Sequence, residues 1–198
     1  SGYGTDLAIF AFGNDGSMSN SRNLVSNSGV VASDATGAGT ARQRMGAARY
    51  GGDKAVFAFG ENGGKTTNKN LVGNTGVISS DSSGAGDACT SRMAAQYGTG
   101  TAIFAYGQAA GGAFLNTSNL VNSSGVIASD VSGVGTARNF GAATNYGGDK
   151  AIFGFSDFSG GSSSVTNLVN SSGVVQSDTS AVGTARRAVG AAGYSNSA

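Results

Sequence analysis

One unit of about 48 residues recurs four times in this chain, and that repeat constrains the fold more than any single motif. Tyr3, Tyr50, Tyr97, Tyr146 and Tyr194 fall 47, 47, 49 and 48 residues apart. Asn-Leu-Val recurs at Asn23, Asn70, Asn119 and Asn167, and Ser-Asp recurs at Asp34, Asp81, Asp130 and Asp178. From each of these Asp residues to the next Tyr is 16 residues in all four copies. A unit of this size cannot bury its own apolar surface alone, so neighbouring units must stack on one another.

Within a unit the pattern reads as strands. Residues 53–60 alternate, placing Lys54, Val56 and Ala58 on one face and Ala55, Phe57 and Phe59 on the other. Counterparts run over 6–13, 100–107 and 149–156. Asn-Leu-Val forms a second, shorter strand closed by an Asn/Ser/Gly turn. A third begins at the β-branched pairs Val30-Val31, Val77-Ile78, Val126-Ile127 and Val174-Val175. The fourth, over 41–50 in the first copy, is dominated by Ala and Gly. No segment keeps apolar residues at helical spacing over three turns, so helix content is expected near zero.

Four short strands per unit is the arithmetic of a propeller blade. Small residues suit the innermost strand, because inner strands converge on the axis and bulky side chains would collide there. The expected fold is all-β: a four-bladed β-propeller forming a single domain over 1–198. Its blades take residues 1–40 plus 185–194, then 41–87, 88–136 and 137–184. Pairing of strand 185–194 with residues 6–12 would close the ring and remove an exposed sheet edge.

Composition narrows the function classes. The chain has no His, Pro or Trp and one Cys, so a Ser-His-Asp triad, a Cys-His pair and an internal disulfide are excluded. Lys+Arg 12 against Asp+Glu 11 leaves a net charge of +1, too little for a nucleic-acid footprint. Charged residues make up only 12%, so the surface is covered by Gly, Ser, Thr and Asn. No apolar run approaches the ~18 residues of a membrane span.

Thr40-Ala41-Arg42, then Gly46-Ala47-Ala48, then residues 50–60 resemble the kelch repeat, which likewise runs from an Arg through a small-residue strand to an apolar-aromatic strand ending in glycine. The resemblance covers the whole chain, four times. It departs from kelch in having one Gly after the aromatic strand and no late Trp. Tyr146 to Phe155 also resembles repeats of bacteriophage tail and structural proteins and of marine environmental sequences. That likeness implies a virion or otherwise extracellular setting.

Arg42, Arg138 and Arg186 share one slot, which in the second unit is Cys89. Read structurally, this ring of Arg fastens neighbouring units to the Asp set Asp34, Asp81, Asp130 and Asp178; read functionally, it binds an anion. Each Asp, preceded by Ser and followed by small polar residues, is expected in an Asx-turn rather than as a calcium ligand. At Cys89 the slot is expected to be looser, filled by water or by Arg92 approaching from outside. Both aromatic slots, Ile9 or Phe10 with Phe57, Phe104 and Phe153, and Phe12/Phe59/Tyr106/Phe155, are expected to be buried between sheets.

The copies differ most between the aromatic strand and Asn-Leu-Val, over 14–22, 61–69, 108–118 and 157–166. Variable loops on a repeated scaffold are where binding surfaces are built. Asp15, Glu61, Lys65, Lys69, Phe114, Leu115, Asp157 and Phe158 are the candidate contact residues. No convergent carboxylates, metal ligands or cofactor motif are present, so an enzyme is not expected. The expected function is a non-enzymatic display or attachment module, of phage tail-fibre type, contacting a host-surface glycan or a neighbouring virion protein. A secreted or cell-surface lectin is the alternative.

Overall fold

The computed structural model describes residues 1–179 and 182–194. Each unit is built around one antiparallel sheet, and the described residues are all-β apart from a single 3-10 turn at Ala110–Gly112. Sheet 1 comprises β1 (Gly2–Tyr3), β2 (Leu7–Asn14), β3 (Met18–Val25) and β4 (Ala35–Thr36). Sheet 2 comprises β5 (Gly46–Tyr50), β6 (Lys54–Ala58), β7 (Asn68–Val72) and β8 (Ser82–Ser83). A two-stranded pair, β9 (Cys89–Thr90) with β12 (Gln108–Ala109), precedes and borders sheet 3. Sheet 3 itself is β10 (Met93–Tyr97), β11 (Thr101–Ala105) and β13 (Ser118–Val121). Sheet 4 is β14 (Ala142–Tyr146), β15 (Lys150–Phe158) and β16 (Gly161–Val169). Order within each sheet follows chain order, from the Ala/Gly strand through the aromatic strand to Asn-Leu-Val.

The third strand expected at the β-branched pairs shrinks to single bridges, Val25 to Val31, Val72 to Ile78, Val121 to Ile127 and Val169 to Val175. An Asn/Ser/Gly turn sets each of them. Asn122 Oδ1 accepts from the Ser124 and Val126 amides, both at 3.0 Å, and Asn170 does the same in the fourth unit, so in these two units the Asx-turn sits at this Asn and not at the downstream Asp. The turn glycine is needed twice over at Gly76. Its φ is +77°, and a Cβ there would meet Leu24 at 2.8 Å and the Tyr3 ring at 3.0 Å.

Sheets pack in the order 1–2–3–4, and three interfaces repeat one design. Tyr3, Ile9, Ala55 and Phe57 form the first core; Val56, Phe59 and Phe104 belong to the second; Ile103, Tyr106 and Phe153 belong to the third. Edge-to-face aromatic pairs mark each: Phe12–Phe57 at 5.6 Å, Phe59–Phe104 at 5.4 Å and Tyr106–Phe153 at 5.5 Å between centroids. Strict alternation placed Phe57 and Phe59 on one face, and the structure corrects this. Phe59 has φ +66°, beyond the end of β6, and this left-handed residue swings its ring onto the face of Val56 and Ala58. One aromatic strand thereby supplies a ring to each neighbour.

Burial of the aromatic slots fails at the ends. Phe57, Phe104 and Phe153 are 5%, 0% and 0% exposed; in the first unit Ile9 is buried, whereas Phe10, which stands opposite Asn23 as Phe57 stands opposite Asn70, is 64% exposed because no sheet stands in front of it. The expected ring closure is likewise corrected. Residues 182–194 form no strand, and the inner edge of β2 is taken by β1, with Gly2 opposite Ala8 and Tyr3 opposite Leu7. Ser1 and Ile9 exchange backbone bonds at 2.9 and 3.0 Å beyond it. The C-terminal stretch lies instead against sheet 4, where the Ala188 amide donates to the Phe140 carbonyl at 2.8 Å and Gly193 lies against Asn145. Among the described residues no helix is long and apolar enough to cross a membrane.

Candidate functional site

The Arg slot is built by elements of two units at once. Arg42 lies over the Phe12 ring of unit one, 4.4 Å from Cζ to centroid, and 3.5 Å from Asp81 of unit two. Arg138 repeats this over Tyr106 at 3.7 Å and beside Asp178 at 3.7 Å. Each Asp is aimed by the Asn of Asn-Leu-Val: Asn70 Nδ2 donates to Asp81 Oδ1, and Asn167 Nδ2 to Asp178 Oδ1, both at 2.9 Å. The Thr two residues before the Arg donates from its amide and hydroxyl to the same carboxylate, at 2.9 and 2.5 Å for Thr40 with Asp81. Burial by itself would raise the Asp81 carboxyl, but the Thr40 and Asn70 hydrogen bonds and the Arg42 charge outweigh it and hold it below the ordinary range. These buried cations are enclosed by neighbouring units and are out of reach of a soluble anion.

In the second unit Arg92 takes the place of the missing Arg. It is buried, 4.7 Å over the Phe59 ring and 3.4 Å from Asp130, and its Nε donates to Cys89 Sγ at 2.9 Å. The slot is therefore neither loose nor filled from outside. Ser91, at φ +55°, reverses the facing between Cys89 and Arg92, so counting strand faces across it misleads. Burial pushes the Cys89 thiol up, with Arg92 opposing. Arg186 keeps the aromatic stack, 3.9 Å over Phe155, and Asp34 accepts from Asn23 at 2.7 Å, but among the described residues neither meets the opposite charge that completes the slot elsewhere.

Most of the loop candidates are engaged. Lys65 Nζ donates to the carbonyls of Gln108, at 2.9 Å, and Ala109, and Lys69 Nζ donates to the Gly125 carbonyl at 3.0 Å, each bracing the next unit. Burial lowers both ammonium pKa values. Leu115 packs on the second core, and Phe158 folds over its own hairpin at Gly160. Phe114 is half-buried in a bridge with Gln108. Asp157 pairs with Arg187 at 2.6 Å and Glu61 with Arg44 at 3.1 Å. Asp15 is exposed and binds its own turn through Ser17.

A second set of left-handed residues was not singled out from the sequence. Arg44, Ser91, Phe140 and Ala188 occupy one slot, two residues after the Arg slot, with φ of 57°, 55°, 50° and 54°. Left-handed backbone costs a non-glycine residue on the order of 1 kcal/mol, and such strain collects where a side chain has to be aimed. All four line a single cavity of about 270 Å³, together with Met45, Arg92 and Gly141. Backbone bonds tie the set together, Ser91 N–H to Arg44 O at 2.7 Å and Ala188 N–H to Phe140 O at 2.8 Å. What varies is chemistry: a guanidinium held by Glu61, a hydroxyl, a phenyl ring and a methyl. The Ser91 hydroxyl is buried and has no hydrogen-bond partner among the described residues, and Phe140 is partly exposed. The sequence carried no distinct signal for it, since the positions on either side, Gln43/Thr90/Asn139/Arg187 and Met45/Arg92/Gly141/Val189, change in every copy as well.

A further cavity of about 390 Å³ is bordered by the small-residue strands of all four sheets, through Ala48, Ala95 and Thr144 among others, and by Ala191–Gly193. Comparison with models of known families and with curated proteins finds no match for the chain.

Proposed function

We propose that the protein is a non-enzymatic attachment module, its units the blades of a kelch-like propeller arc, and that it binds carbohydrate at the cavity mouth formed by Arg44, Ser91, Phe140 and Ala188. The observation that carries this reading is the mouth itself: four strained residues of differing chemistry aimed into one space. A sugar offers C–H faces for the Phe140 ring and hydroxyls for the Ser91 oxygen and the Arg44–Glu61 pair. Four units with a small-residue strand toward a common cavity support the propeller part. The likeness of Tyr146 to Phe155 to phage repeats supports a host-surface glycan as target and a virion appendage as setting.

Glycan-array screening followed by calorimetry tests the reading. Phe140→Ala and Arg44→Ala should each weaken binding by roughly tenfold, about 1.4 kcal/mol. Asp15→Ala, on an exposed loop outside the mouth lining, should bind like the parent. Absence of any glycan hit, or unchanged affinity in both mouth variants, would overturn it.

A further inference from the structure

Each end of the row of sheets carries one half of the interface that the three internal junctions complete. At the sheet 4 end, Arg186 already holds the pose of its buried counterparts. It stacks over Phe155 at 3.9 Å and donates to the Thr184 carbonyl at 3.0 Å, as Arg42 does to Thr40 and Arg138 to Thr136. Among the described residues no carboxylate of a following unit meets it. At the sheet 1 end, Asp34 is set by Asn23 at 2.7 Å as Asp81, Asp130 and Asp178 are set by their Asn residues at 2.9 Å. Among the described residues no guanidinium reaches it.

The apolar parts match in the same way. Internally the repeated Tyr of one unit packs on the turn glycine of the next, Tyr3 on Gly76, Tyr50 on Gly125 and Tyr97 on Gly173, with approaches of 2.7–3.0 Å to a Cβ built there. The unmatched halves are Tyr146, 37% exposed, and Gly29, with nothing within 4 Å of its Cβ position. Phe155 offers the ring that Phe59 and Tyr106 place on Phe104 and Phe153, and Phe10 is the open receiver.

We propose that the protein associates head to tail with a second copy of itself, sheet 4 of one copy seated on sheet 1 of the next. Arg186 of one copy then meets Asp34 of the other, Phe155 meets Phe10, and Tyr146 meets Gly29. The occupant is a second copy because this chain carries both complementary faces and the contact continues an interface it already makes three times. The contact is heterologous, so it runs on as a helical stack or closes as a ring of copies. It is independent of what the cavity mouth binds.

Sedimentation velocity over a concentration series, with the whole chain, tests this. The parent should show mass rising with concentration. Asp34→Arg alone and Arg186→Asp alone place like charges face to face, and each should weaken association by roughly tenfold or more. An equimolar mixture of the two variants should regain the parent's association, because every junction between unlike copies then pairs opposite charges. That rescue also shows both variants to be folded. A parent that stays monomeric throughout, or association indifferent to both variants, would overturn the proposal.

Discussion

Arg138 is an almost fully buried guanidinium whose charge faces one carboxylate and one aromatic ring. Arg138→Ala strands the Asp178 carboxylate and removes the stack on Tyr106, and should cost about 3–5 kcal/mol in denaturant unfolding. Cys89→Arg should also destabilise, by about 1–3 kcal/mol. Its site is fully buried and the neighbouring space already holds Arg92. The Asp partners predict an acid limb. Asp81 and Asp178 are held below the ordinary carboxylate range, burial opposing and the Thr, Asn and Arg contacts prevailing. The folded state then favours the charged forms, so their stabilisation is complete above the unfolded carboxylate pKa and is lost as pH falls through the folded values. Melting temperature should hold above about pH 5 and drop below about pH 4, and the double variant Asp81→Asn/Asp178→Asn should flatten that drop.

For the strand, position in the row matters more than residue type. Phe57 and Phe10 occupy the same slot of β6 and β2, yet one is enclosed by two sheets and the other faces outward. Phe57→Ala should cost roughly 3–5 kcal/mol. Phe10→Ala should stay within about 0.5 kcal/mol for the unassociated protein, as surface changes do. Paired chemical melts at low protein concentration compare the two. At the strand entries, Ala188 bears left-handed strain without a side chain that packs, so Ala188→Gly should gain up to about 1 kcal/mol.

Across the whole molecule, two sheets are flanked on both sides and two on one side only. Repeat arrays derive much of their stability from nearest-neighbour interfaces. Amide exchange should therefore be slowest in β6 and β11 and faster in β2 and β16, and mass spectrometry of peptic fragments reads that gradient. Equal protection across the four sheets would mean that the end faces are covered.

Much of this organisation lay in the order of residues. The period, the all-β character and the strand order follow from local pattern, because alternation and turn chemistry act over a few residues and the repeat supplies four readings of each. Asn70 and Asp81, eleven residues apart, could be seen as a recurring pair, though not as one gripping the Arg of the preceding unit. What needed the tertiary structure were the left-handed residues. The turn of Phe59 away from Phe57, the capture of the Arg slot by Arg92, and the aiming of Arg44, Ser91 and Phe140 into one mouth each depend on a single φ. Such a φ is unfavourable locally and persists only because contacts tens of residues away repay it. The exposed Phe10 and the unclosed row belong to the same class: nothing in the identity of a phenylalanine says whether another sheet stands in front of it.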